Sequence, residues 1–297
     1  MIIEYSSMCL NEANYRDKIR EAKSFVEKQG FLFGVQLHNS ITKDLFDKLI
    51  EYKNEIPFSI HSPMFSPFFL NLAGLPWETI DTICCNCENY LLEINSNILF
   101  FHGFFMTNKP IIHNMKKYRK MIQEAIGSKY CLKDSFIMDP DFFNTDIYLQ
   151  YKAKFTENLG KLRNSFAHLT VSLENDFVGI GSGLQRPQEI HELIDNLWFD
   201  LGHLWSSSIL HKFDFHQETF HLLEKKNIPG VHLNHNLIRK SSPGELIRDS
   251  HAHFYMESEM NLAPIVRKIF EKKIEHITLE IVDGNIQDLE ILFNWLE

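Results

Sequence analysis

The chain has 297 residues, 44% hydrophobic and 23% charged, enough for one large α/β barrel or two smaller cores. A formal charge of -9 excludes a generally basic nucleic-acid binder, and no run approaches the roughly 18 apolar residues that cross a bilayer, so no membrane partner is expected. Five cysteines are an odd count for a disulfide framework, and the start lacks a signal peptide's basic and apolar regions, which points to a reducing, cytoplasmic setting.

Strand-like runs alternate with runs of helical spacing along the whole chain. A short strand over 2–5 leads to a helix over 14–28. A strand over 31–37, a helix over 43–53, a strand over 58–61 and a helix over 78–92 follow. The next unit pairs a strand over 98–102 with a helix over 115–126. Strands over 169–174, 197–200, 230–233 and 276–281 then alternate with helices over 187–196, 217–226, 263–272 and 286–296. The strands are short and rich in Phe, Ile, Leu and Val, as parallel strands covered on both faces should be. Eight strand–helix units in a chain of this length predict a single (β/α)8 barrel, one domain over 1–297. Gly179-Ile180-Gly181-Ser182-Gly183 lacks the spacing of a dinucleotide-binding turn.

Two local features stand apart. Cys84, Cys85 and Cys87 fall on the helix over 78–92 and read as buried free thiols rather than a metal site, since no second cysteine pair answers them. The connection over 103–167 is long; it holds an extra helix near 149–163 and the turn Asp139-Pro140-Asp141, and reads equally as a lid or as a packed surface excursion.

In such a barrel the C-terminal ends of the strands face the reaction space. Here strand ends three to eight carry His61, His102, Glu174, Asp200 with His203 three residues on, His232, and Glu280, while the loop after strand seven adds Asp249-Ser250-His251. Carboxylates converging on one apolar-walled mouth repel one another and are costly to desolvate. Divalent cations resolve this, because they bond to both carboxylate oxygen and imidazole nitrogen.

This ordered set, with Asn71-Leu72-Ala73, Glu174-Asn175 and Val231-His232-Leu233-Asn234, resembles the metal-ligand pattern of the endonuclease IV family, a branch of the xylose-isomerase-like barrels. The resemblance runs over about 57–281 in short patches. It implies up to three zinc ions: His61 and His102 on one, Glu174 bridging to a second held by Asp200, His232 and Glu280, and His203, Asp249 and His251 on a third. It further implies metal-assisted hydrolysis of phosphate esters, with Glu174 and Glu280 in catalytic positions and damaged DNA as a partner. The match departs at His102-Gly103, at Asn234-His235 and after His251, where the chain reads Ala252-His253-Phe254-Tyr255-Met256-Glu257. Gly34-Val35-Gln36-Leu37-His38 looks more like the sugar-isomerase branch.

The alternative is therefore a sugar or sugar-phosphate isomerase or epimerase, with Glu174, Asp200, His232 and Glu280 on one Mn²⁺ or Mg²⁺. A second alternative is a barrel that binds a metal or sugar without turnover. Arg239 and Lys240 lie between ligand-bearing segments and read equally as contacts for a substrate phosphate or as an exposed loop pair. The run Lys116, Lys117, Arg119 and Lys120 reads as a solvated helix face, and His211, His216 and His221 as surface residues.

Overall fold

The computed structural model describes residues 1–112, 128–133, 135–179 and 181–297. Eight parallel strands close into a barrel in sequence order: β1 (Ile2–Ser6), β2 (Leu32–Leu37), β3 (Phe58–Ser62), β4 (Ile98–Phe101), β5 (Thr170–Glu174), β6 (Asn196–Asp200), β7 (Asn227–Leu233) and β8 (His276–Leu279). β1 pairs with β2 on one side and β8 on the other, Ile3 standing opposite both Phe33 and Ile277, so the sheet has no open edge. This is the single (β/α)8 barrel that the alternation predicts.

Period-2 alternation sorts each strand between two environments. In β1, Ile3 and Tyr5 join the apolar layer beneath the helices, whereas Glu4 is buried among side chains of β3 and β8. Inside the barrel Phe100 and Trp198 stack face to face, centroids 3.7 Å apart and planes at 3°. Gly230 on β7 leaves room for that indole, since a Cβ there would lie 2.5 Å from Trp198.

The helices packed around the strands begin where the side-chain caps allow. Thr42 accepts from Leu45 N before the helix Lys43–Ile50, Thr145 from Tyr148 N before Asp146–Ser165, and Asn285 and Asp288 form a reciprocal capping box before Ile286–Asn294. The helix Trp77–Glu93 buries Cys84 and Cys87 but exposes Cys85, which corrects the expectation that all three thiols are buried. The expected helix over 115–126, with its basic run, lies outside the described residues. In the long connection, Phe105 bridges to Ser182 and Ile137 to Gly179, tying the excursion to the loop after β5. One further helix, Leu201–His211, was not expected; it starts directly after β6 with no intervening loop. Among the described residues, no helix is long and apolar enough to cross a membrane.

Candidate functional site

The strand ends bring the predicted acids and imidazoles into one cluster, with Glu174 at its hub. Its Oε2 lies 2.7 Å from His61 Nε2 and 3.5 Å from His102 Nε2, and its Oε1 lies 2.9 Å from His232 Nδ1. His232 Nδ1 is also 3.6 Å from Asp200 Oδ2 and 3.3 Å from Glu280 Oε2. Beside them, Asp249 Oδ2 sits 3.3 Å from His203 Nε2 and 2.8 Å from His251 Nε2. Three groups result: His61, His102 and Glu174; Glu174, Asp200, His232 and Glu280; His203, Asp249 and His251. Within each, one nitrogen or oxygen per residue lies within 4.8 Å of all the others.

Local structure explains how residues so far apart in sequence meet. Asp200 is both the last residue of β6 and the N-cap of the next helix: its Oδ1 accepts from His203 N at 2.6 Å. That cap frees Oδ2 for the cluster and swings His203 back over it. The Asn175 side chain straps β5 to β6, donating to Asp200 O and accepting from Asp200 N, both at 2.8 Å. His251 holds a left-handed backbone, φ 41°, a conformation that costs a non-glycine residue energy and collects at functional sites.

Each of the five imidazoles is gripped at one nitrogen by a group outside the nine candidate side chains. His61 Nδ1 meets the Asn39 side-chain amide at 2.8 Å and His102 Nδ1 meets Asp176 Oδ1 at 2.7 Å. His203 Nδ1 meets Asn175 O at 2.9 Å, His232 Nε2 meets Gln36 Oε1 at 2.9 Å, and His251 Nδ1 meets the backbone carbonyl of Glu280 at 3.0 Å. The free nitrogen of every ring faces a carboxylate oxygen of the cluster. Fixing one ring nitrogen so that the other can bind is how proteins orient imidazoles towards metals.

Electrostatics agree with the geometry. Burial alone would raise the Glu174 carboxyl, but the imidazoles of His102, His232 and His61 hold it well below the ordinary carboxylate value. Burial likewise opposes charge on His203 and His232, yet the surrounding carboxylates push both well above the ordinary imidazole value. Glu280 goes the other way: burial, with Glu174 and Asp200 adding repulsion, raises it to about 7 against the pull of His232 and His251. His203 and His232 thus go some way to meeting the acids' demand for positive charge, while burial lowers His61 to about 4. Among the described residues, the buried oxygens Asp200 Oδ2, Asp249 Oδ1 and Glu280 Oε2 find no hydrogen-bond donor, a costly state that a cation would relieve. Nitrogen and carboxylate donors arranged this way fit a divalent ion.

The cluster floors a cavity of about 250 Å³. Phe69, Phe105 and Phe177 form its apolar walls, and His38, Asn39, Ser40, Asp176 and Ser182 its added polar groups. His38 stacks on His61 at 5.2 Å and places Nε2 3.6 Å from Glu280 Oε1. The sequence reading did not assign these residues to the site; only the position of His38 just past a strand end hinted at it. Arg239 and Lys240 are exposed and do not line the cavity, Lys240 reaching over the Trp205 ring, a placement that matches the exposed loop pair. His211 is not a surface residue either: half-buried, it pairs with Gln185 Oε1.

Neither a protein-family model nor a curated protein matches the chain. Solved structures do. The chain is similar over its whole length to a D-tagatose 3-epimerase-like protein, at 16% identity and a TM-score of 0.64, covering 97% of that chain. It is similar to a D-psicose 3-epimerase from Clostridium cellulolyticum, solved with D-tagatose, at 11% identity and a TM-score of 0.54, with both chains fully covered. It is also similar to a Thermus thermophilus protein solved after soaking with ZnCl2, at 14% identity and a TM-score of 0.53, covering 99% of this chain and 98% of that one. The likeness establishes the fold. The named activities among these neighbours are sugar epimerisations, which go against the expectation of a phosphate-ester hydrolase and lend no support to the endonuclease IV branch or to damaged DNA as a partner.

Proposed function

We propose that the protein is a divalent-metal-dependent epimerase or isomerase of a small, unphosphorylated sugar. The observation that carries this reading is the make-up of the cavity. Acids and imidazoles form its floor, aromatic and neutral polar side chains its walls, and among the described residues no lysine or arginine lines it. A phosphate group is ordinarily met by such a cation, Arg above all. A free sugar instead offers C–H faces to the Phe rings and hydroxyls to Asn39, Ser40 and Ser182. At about 250 Å³ the space falls just below the roughly 300 to 1,000 Å³ of pockets for drug-sized molecules, as suits a smaller ligand. The whole-chain likeness to epimerase barrels supports the same reading.

In this reading Glu174, Asp200, His232 and Glu280 hold the principal ion. This carboxylate-rich set suits Mn²⁺ or Mg²⁺, while the imidazole-rich groups around His61 and His102, and around His203, Asp249 and His251, suit Zn²⁺. A bound divalent ion would polarise the substrate's carbonyl and the neighbouring hydroxyl oxygen, acidifying the C–H bond between them. Glu174, kept ionised by its imidazoles, takes the proton, and the bond's electron pair moves onto the carbonyl oxygen. Glu280 takes the complementary part and returns a proton to the opposite face. The two acids reach the reacting carbon from β5 and from the end of β8, across the barrel mouth.

The test is a panel of free ketoses and aldoses incubated in D2O with Mn²⁺, Mg²⁺ or Zn²⁺. The expected result is interconversion of one pair of epimers or isomers with deuterium appearing at the inverted carbon. Absence of conversion across the panel, with no sugar binding by calorimetry, would overturn the proposal.

A further inference from the structure

Beneath the ligand layer, beside the Phe100–Trp198 stack, a line of buried polar side chains runs down the barrel interior. His232 Nε2 lies 2.9 Å from Gln36 Oε1. Gln36 Nε2 donates to Thr278 Oγ1 at 3.0 Å, and Thr278 Oγ1 donates to Glu4 Oε2 at 2.7 Å. Ser59 Oγ also donates to Glu4 Oε2, at 3.1 Å, and His276 Nδ1 lies 3.1 Å from Glu4 Oε1. Glu4, Gln36 and Thr278 are wholly buried.

The donors along this line can be ordered in only one way. Burial opposes charge on Glu4, but His276, Thr278 and Ser59 hold its carboxyl below the ordinary value, so it is an acceptor only. Thr278 has one hydroxyl hydrogen and gives it to Glu4; towards Gln36 it presents a lone pair. Gln36 must therefore turn its NH2 to Thr278 and its carbonyl to His232. The imidazole in turn keeps a hydrogen at Nε2, so Nδ1, which faces Glu174, Asp200 and Glu280, is the nitrogen that would give up its proton to a cation.

We propose that Glu4, acting through Thr278 and Gln36, is a remote positioning residue that fixes the tautomer and ring orientation of His232 for coordination at Nδ1. The proposal rests on the metal-binding part of the proposed function and not on the identity of the substrate. With Thr278 released from Glu4, its hydroxyl can point at Gln36; the amide then flips and sets its NH2 against the His232 N–H. Outer partners of ligating imidazoles are worth roughly 10- to 100-fold in metal affinity.

The test uses the full chain, Zn²⁺ as a diamagnetic probe, and ¹⁵N-histidine NMR to follow the His232 ring. In the unaltered protein the Zn²⁺-loaded ring is expected to show a protected, hydrogen-bonded Nε2–H. Thr278→Val should lower affinity at this ring at least about 10-fold and weaken protection of that proton, while Thr278→Ser restores both. Glu4→Gln, of equal size but able to donate, should reproduce the Val variant's effect and serves if Val disturbs folding. Unchanged affinity and an unchanged Nε2–H signal in both variants would defeat the relay while leaving the metal site intact. Failure of the unaltered chain to bind Zn²⁺ or Mn²⁺ would defeat the metal reading and the relay together.

Discussion

Glu280 sits between opposing influences, burial and two carboxylates holding its proton on and two imidazoles drawing it off. A group so balanced suits proton return, and Glu280→Gln should reduce turnover by roughly 10²- to 10⁴-fold, the usual worth of a general acid–base group. Deuterium exchange into bound sugar, measured by mass spectrometry, should fall with it; exchange at the unaltered rate would remove Glu280 from the proton path. At the other end of the barrel, the Glu4–His276 pair sets a pH signature on stability. The folded His276 lies above its ordinary value of 6.5, because Glu4 outweighs the opposing effect of burial, so its contribution is full below 6.5 and drains away as pH rises through the raised value. Glu4 lies below its ordinary 4.5, so its contribution is present above 4.5 and is lost as pH falls through the lowered value. The pair is at full strength between about 4.5 and 6.5. His276→Gln should cost on the order of 3 kcal/mol at pH 6 and flatten the alkaline limb of a plot of Tm against pH; an equally steep limb would count against the pairing. The strand-end ligands were legible because each closes an apolar run. Glu4, Gln36 and Thr278 were not, since an inward polar residue in a short strand shows its partners only once the barrel has closed.

Among the elements, the helix Leu201–His211 was the clearest omission from the sequence reading, and the reason is physical. Asp200 ends the strand and caps the helix in one residue, so no turn signal separates them. Leu201 to Leu210 are all buried, which erases the polar–apolar period, and Gly202 with Ser206, Ser207 and Ser208 are weak helix formers. Gly202 is there for space: a Cβ would lie 2.3 Å from Asn234 Oδ1. Gly202→Ala should therefore destabilise the protein by about 1–3 kcal/mol in denaturant titration and loosen the hold of His203, Asp249 and His251 on a metal ion. Wild-type stability would show that Asn234 gives way without cost.

For the molecule as a whole, metal and fold should be linked. A cation that relieves the donor-less oxygens of Asp200, Asp249 and Glu280 binds the native chain and not the unfolded one. At a hundredfold excess over Kd it should add about 2.7 kcal/mol, read as a rise in Tm that a chelator reverses. Elemental analysis of the protein then separates one ion from as many as three. An unmoved Tm with and without Mn²⁺, Mg²⁺ and Zn²⁺ would argue that the cluster is held by its protonated imidazoles alone. The whole-molecule reaction was the least legible feature of the sequence. The ligand pattern resembles those of both hydrolytic and isomerising barrels, and the proposed choice between them rests on the cavity wall. Its Phe69, Phe105 and Phe177 come from separate loops that nothing in the linear order groups together.

The face-to-face Phe100 and Trp198 rings, buried and packed against His61 and His232 above and His276 below, give the barrel a sealed bottom. If the barrel turns over a sugar as proposed, substrate and product would share the way past Phe69, Phe105 and Phe177, so product that lingers would block the next encounter. An inhibitor with an elongated tail has one direction in which to grow, outward.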